Sequence, residues 1–211
     1  MESLEGITDF AKSLNIPCVG GKVSFYNETS DGPIKPTPLI GVLGLIDKSP
    51  LLPTPPSEND VILLVGETKD ELGGSEYYEY IHNFIGGTAP SVDVSQSKKN
   101  MESILSLISQ NLIKTAHDCS KGGLAIGISE LCIFGKIGCN VNLDKTSTMP
   151  PEKILFSESH SRYIIVVEKN NIDSVKNILS NNGSSFYELG IFTSDQIIFE
   201  SNSKPILKLI V

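Results

Sequence analysis

The residues Gly20-Gly21-Lys22-Val23-Ser24 follow the apolar run Ile16-Pro17-Cys18-Val19, and these types in this order can hold an anion. Glycine has no Cβ to keep a phosphate at a distance and adopts positive φ freely. Successive backbone N–H groups can therefore converge on an anion, with Lys22 and Ser24 adding an ammonium and a hydroxyl. That chemistry suits a phosphorylated ligand. A Gly-Gly pair at a strand end equally makes a turn or bulge, and the residues alone leave both readings standing.

Three further stretches carry chemistry with an ordinary structural alternative. Leu72-Gly73-Gly74-Ser75-Glu76-Tyr77 reads as a turn and N-cap before a helix starting near Glu76, or as a ligand contact. His117-Asp118-Cys119-Ser120-Lys121-Gly122-Gly123 could hold an anion at a helix N-terminus, unless Asp118 or Ser120 satisfies those N–H groups itself. Ser157-Glu158-Ser159-His160-Ser161-Arg162 offers a carboxylate and a guanidinium to polar groups of a ligand. His117 and Cys119, two apart on a strand, would share a face as base and nucleophile, but an activated thiolate also needs an orienting group and an electropositive pocket. Cys18, Cys119, Cys132 and Cys139 include no Cys-x-x-Cys pair, and His82, His117 and His160 stand at no ligand spacing from them. Free buried thiols are expected, rather than disulfides or a metal site.

The elements that must position these residues follow from apolar spacing. Leu4, Ile7, Phe10, Ala11 and Leu14 predict an amphipathic helix over 2–14, followed by a strand over 17–20. Residues 27–38 have loop composition, and 39–46 read as a buried strand. The proline-rich stretch from Lys48 to Asn59 marks a domain boundary: an N-terminal piece over 1–48, a linker over 49–59 and a second domain over 60–211. In the second domain Asp60–Glu67 is a continuous apolar run suited to a strand covered on both faces. Helices are predicted over 75–85, 99–113, 122–134 (with Ser120 as N-cap) and 172–181, and strands over 140–143, 163–168, 186–193, 196–200 and 206–210. The fold class is α/β (α+β), a mixed sheet packed with helices.

Composition narrows the function classes. The 211 residues include 39% hydrophobic ones, enough for a sizeable core, and carry a formal net charge of −8. That charge argues against non-specific nucleic-acid binding and against an anionic membrane surface. No apolar run approaches a bilayer span, Met1-Glu2-Ser3-Leu4-Glu5 lacks a signal pattern, and the chain reads as cytoplasmic.

Taken in order, Gly20–Thr29, Pro36-Thr37-Pro38-Leu39-Ile40-Gly41, Leu72–Tyr77, Ala116–Leu124 and Leu155–Arg162 resemble motifs of the large synthetase-subunit family of phosphoribosylformylglycinamidine synthase, within the aminoimidazole ribonucleotide synthetase-related superfamily. The resemblance covers essentially the whole chain but only the C-terminal part of such a subunit. It implies that residues 1–48 are the tail of a second ATP-binding-type domain and residues 60–211 a complete C-terminal domain. It further implies part of an ATP-dependent ligase that converts formylglycinamide ribonucleotide and ammonia to the amidine in purine biosynthesis, with glutaminase and small bridging subunits as partners. By the same resemblance Gly21, with Gly20 beside it, lies against ATP, Ser24 binds the phosphorylated substrate, and Lys22 stands where many members carry an asparagine at a magnesium site. A protonated lysine cannot coordinate Mg²⁺, so metal binding at this position departs from the family. The family's catalytic histidines, main ATP lysine and metal carboxylates match no position here, which implies that the chain is inactive alone. A related aminoimidazole ribonucleotide or selenophosphate synthetase, and a non-catalytic assembly module, are the alternatives.

Overall fold

In the computed structural model of the protein, residues 2–24, 26–34, 37–46 and 53–210 are described. Phe25 and Pro36 of the motifs, and residues 48–52 of the proline-rich stretch, lie outside them. The chain divides into two units, Met1–Ser49 and Pro50–Val211.

In the first unit α1 covers Glu2–Ser13, as the apolar spacing predicts. Strands β1 (Glu28–Thr29) and β2 (Gly32–Pro33) make a minimal hairpin inside the predicted loop, with Gly32 supplying φ +115° at the turn. The strands expected at 17–20 and 39–46 are not formed. Leu39, Leu43 and Leu45 are 97%, 96% and 97% exposed. β-propensity creates no ladder without a neighbouring strand, and among the described residues of this unit none pairs with either run.

The second unit is a seven-stranded sheet with helices on both faces. Its elements are β3 (Val61–Val65), α2 (Glu76–His82), α3 (Val94–Ser109), β4 (Thr115–Asp118), α4 (Gly123–Gly135), β5 (Gly138–Asn142), α5 (Pro151–Phe156), β6 (Tyr163–Val167), α6 (Ile172–Asn181), β7 (Phe186–Thr193), β8 (Gln196–Ser201) and β9 (Lys204–Ile210). Strand order is β4-β6-β3-β7-β5-β8-β9, antiparallel throughout except for the parallel β5–β8 pair.

Strand β3 lies between β6 and β7, and every one of its residues is buried. Ile62 and Leu64 face a core shared with Leu124, Ile128, Leu131, Ile154 and Leu155 of α4 and α5. Val61, Leu63 and Val65 face a second core with Ile104, Leu107, Val175 and Leu179 of α3 and α6. A strand covered on both faces reads as an unbroken apolar run because neither set of alternate side chains meets water.

Three local expectations need correction. Helix α3 begins at Val94, five residues before the predicted start, because its buried face there is polar (Ser97, Asn100, Ser103) and hides the apolar period. Asp93 caps it by accepting from Gln96 N at 2.9 Å. Helix α4 is not capped by the Ser120 side chain. Its N-cap is Gly122 at φ +77°, and Ser120 contributes only its backbone carbonyl to Gly123 N. Strand β4 and helix α5 form where no element was predicted, since four and six residues are too few for a period to register.

Residues 53–60 belong to the second unit and are tied to the residues at the start of β4. Thr54 N donates to Lys114 O, and Thr115 Oγ1 donates back to Thr54 O. Asp60 Oδ2 accepts from Ser57 N at 2.7 Å and from Lys114 Nζ at 2.8 Å, with the Asp60 and Lys114 side chains 8% and 16% exposed. No helix among the described residues is long and apolar enough to cross a membrane.

Replacing Asp60 leaves a half-desolvated ammonium and an orphaned N–H at the entry to β3. Asp60→Ala is expected to lower unfolding free energy by about 2–4 kcal/mol in a urea titration, and Asp60→Asn by less.

Candidate functional site

Arg162 sits just before β6, and burial forces it to find partners. It is 1% exposed. Its Nε donates to Ser159 O at 3.0 Å, one terminal nitrogen to Thr68 Oγ1 at 3.0 Å, and the other to Ser157 O. Burial lowers its pKa, while Cys119, Glu71 and Glu158 pull the other way, and an arginine so placed stays charged. No ion pair involves Arg162 among the described residues. Three neutral oxygens solvate the cation instead, and in doing so they fix the loop 157–162.

That loop delivers Glu158 to two helix starts. Glu158 Oε1 accepts from Glu76 N, the first residue of α2, and from Gly122 N at the head of α4, both at 2.9 Å. Its own N–H donates to Glu71 O. A carboxylate at a helix N-terminus meets unpaired N–H groups and the positive end of the dipole, and here one oxygen serves two helices. Ser75 Oγ caps α2 in addition, accepting from Tyr78 N, which is the N-cap alternative of the two readings that the sequence left open. Gly123 permits the close approach: at φ +63°, a Cβ there would lie 2.4 Å from Ser157 O. Lys121 Nζ reaches Glu76 Oε1 at 2.6 Å, and that bond raises the lysine pKa.

Motifs separated in sequence thus line one cavity of about 350 Å³, with Asp118, Cys119, Lys121, Glu158, His160 and Arg162 in its wall. A smaller polar cavity of about 130 Å³, with Glu67, Glu71, Asn100 and Ser159 among its lining, shares His160 and Ser161 with the larger one. Ser161 holds φ +60° there, its hydroxyl paired with Ser97 Oγ and its carbonyl accepting from Asn100 Nδ2. Glu71 titrates below its ordinary value: burial pushes it up, but the nearby Ser159 hydroxyl and the hydrogen bonds from Ser91 N and Oγ outweigh that.

The residues do not make a thiol nucleophile. His117 is held by Glu130 through Nε2 at 3.0 Å and by Asp118 through Nδ1 at 3.5 Å. Cys119 is buried, and burial pushes its thiol up to about 11, against a lowering pull from Arg162. Cys132 and Cys139 are buried free thiols as well, whereas Cys18 is exposed. No group of three or more His, Cys, Asp or Glu among the described residues could hold a metal ion.

Gly20, Gly21, Lys22 and Ser24 belong to the first unit, all exposed and in neither helix nor strand. Neither glycine has positive φ, and a Cβ on either would meet nothing within 4 Å. The positive φ anticipated for an anion cradle is therefore not what these glycines supply, and among the described residues of the first unit no neighbour requires their bareness. Ser24 Oγ contacts Tyr26 O at 3.4 Å, and Asn27 Nδ2 donates to Ser24 O at 2.8 Å. The cap supplied by Glu158 has no local signal in the sequence, since it lies 82 residues from Glu76 and 36 from Gly122.

The sequence profile of the family described as AIR synthase related protein, C-terminal domain matches residues 57–200, more than half of the chain. The chain belongs to this family. The phosphoribosylformylglycinamidine synthase subunit PurL of Thermococcus sibiricus is 38% identical over 211 residues, covering 98% of this chain and 29% of the relative. The chain thus spans less than a third of that relative's length. Among solved structures, PurLQS from Thermotoga maritima superposes with a TM-score of 0.70 at 18% identity, covering 98% of this chain and 34% of that one. T. maritima PurL complexed with ATP gives 0.69 at 19% identity over the same shares. At these identities the likeness is one of fold.

Alkylation tests the thiol assignment. At pH 8 iodoacetamide is expected to label Cys18 alone in the folded chain and all four cysteines after urea, read by mass spectrometry. A raised thiol pKa favours the neutral form in the fold, so its contribution is complete below pH 9 and is lost as pH rises towards about 11. Over that interval wild type is expected to lose stability faster than Cys119→Ala by about 1.4 kcal/mol per pH unit.

Proposed function

We propose that the chain is the C-terminal portion of a PurL-type synthetase subunit. In this reading residues 1–48 are the tail of the second ATP-binding-type domain, residues 49–59 the linker, and residues 60–211 the C-terminal domain. The observation that carries it is the 38% identity to a PurL subunit along 98% of the chain, which takes in the first unit as well as the family domain. The function is then the ATP-dependent ligation of ammonia to formylglycinamide ribonucleotide in cytoplasmic purine biosynthesis, with a glutaminase and a small bridging subunit as partners.

In such a reaction the formyl-amide oxygen attacks the γ-phosphorus of ATP and ADP leaves. Ammonia then adds to the activated carbon and phosphate departs, giving the amidine. Gly20 and Gly21 leave open space over an exposed backbone, which fits close approach of a nucleotide. Ser24 offers a hydroxyl to the substrate phosphate. Lys22 does not fit a magnesium site, because its ammonium has donors and no lone pair, and it supplies a fixed positive charge beside the nucleotide instead. The chain's residues hold and orient, and the reacting groups of the family lie in the portion of the subunit that it does not match.

The 211-residue chain alone, given ATP, formylglycinamide ribonucleotide and ammonia, is expected to release no phosphate above a protein-free control. A full-length synthetase subunit ending in this sequence is expected to release it. Phosphate release by the isolated chain, abolished by a point substitution within it, overturns the reading. In the full-length subunit Ser24→Ala is expected to raise KM for the ribonucleotide by the equivalent of about 1.5–3 kcal/mol, with ATP affinity less affected. Lys22→Ala should weaken nucleotide binding in a calorimetric titration without adding metal, whereas Lys22→Asn should add bound Mg²⁺. Identical titrations for wild type and both variants reduce Lys22 to a solvated loop residue.

A further inference from the structure

Residues 73–88 leave the body of the second unit and return to it. At their base Gly74 N donates to Gly86 O at 2.8 Å. A Cβ on Gly73 would lie 1.9 Å from Thr88 O, so the two ends touch backbone to backbone. A glycine pair stands at each end, Gly73-Gly74 and Gly86-Gly87, and Gly74 and Gly87 take φ +71° and +96°. Leu72 and Ser75 are buried and anchor the base.

Between those ends the excursion has no core of its own in the body. Helix α2 contains no buried residue, and Tyr80, Ile81 and Ile85 are 82%, 65% and 62% exposed. Its rings pack on one another, Tyr78 against His82 and Phe84 at 5.9 and 5.8 Å, so the segment can move as one piece. Among the described residues the hydrogen bonds and ring stacks of α2 to the body are Glu76 N on Glu158 Oε1, Glu76 Oε1 on Lys121 Nζ, and Tyr77 on Phe156 with centroids 5.0 Å apart. Two of the three holding residues, Glu158 and Lys121, line the 350 Å³ cavity.

We propose that residues 73–88 are a hinged arm latched by Glu158 and Lys121, two residues that line the cavity with Asp118 and Arg162, so that opening of the arm releases side chains of the cavity wall. Opening breaks one charge-assisted hydrogen bond, one exposed ion pair and one ring stack, while Glu158 keeps its bond to Gly122 N and α4 stays capped. The glycine pairs absorb the backbone rotation. Both cores of the sheet are untouched, because no side chain of α2 enters either. The inference rests on the second unit alone and stands whether or not the proposed ligase function does.

Hydrogen exchange read by mass spectrometry on the full chain tests it. Amides of residues 76–82 are expected to exchange through local opening about 100-fold faster than those of residues 127–133 in α4. Glu158→Gln keeps the shape of the latch but not its charge, and should speed exchange of the arm about 10-fold, leaving α3 unchanged. Lys121 is 83% exposed, so Lys121→Met cannot endanger folding and should speed the arm about 2–3-fold without altering α4. Exchange of the arm in step with α4 in wild type, or an arm rate unmoved by Lys121→Met, makes residues 73–88 a fixed part of the fold and overturns the proposal.

Discussion

The buried guanidinium of Arg162 is the constraint from which the site is built. A cation taken out of water must be resolvated by the protein, and here the carbonyls of Ser157 and Ser159 and the Thr68 hydroxyl do it. The loop that carries those carbonyls is thereby fixed, and with it the position of Glu158. Glu158 then settles where α2 and α4 begin, and it lines the larger cavity together with Ser120 and Lys121 from the approach to α4. Each step is a polar group satisfying a need that burial created, so the loop's conformation is decided by hydrogen bonding rather than by apolar packing.

The sheet supplies the rigid frame beneath it. Strand β3, covered by two helices on one face and two on the other, joins the two hydrophobic cores, and β6 beside it places Arg162 at its mouth. Burial of five consecutive side chains contributes on the order of 1.5–3 kcal/mol each, which makes this the least mobile part of the unit.

The first unit obeys a different rule. Its apolar run over 39–46 is exposed, and its glycines at 20 and 21 face open space. Neither feature does anything for the described residues of the unit itself. Both acquire a purpose in the proposed subunit, where an apolar strand has a neighbour and a bare backbone has a ligand.

Apolar patterning alone determined much of the fold. The bounds of α6 and β7 follow from the sequence as they stand in the structure, and β3, α1, β6 and β8 fall within a residue or two. Those elements are set by local periodicity against a nearby core, which a single sequence carries. Family membership was legible too, because its motifs are short, ordered strings. Tertiary structure decided the rest. Glu158 lies 82 residues from Glu76 and 36 from Gly122, and no local pattern announces a cap shared across such separations. The start of α3 was hidden by a buried face made of Ser97, Asn100 and Ser103, whose partners Ser161 and Ser184 come from other elements. The run over 39–46 shows the converse: a side-chain pattern fixes what a segment would prefer, while a strand exists only where another backbone supplies its hydrogen bonds.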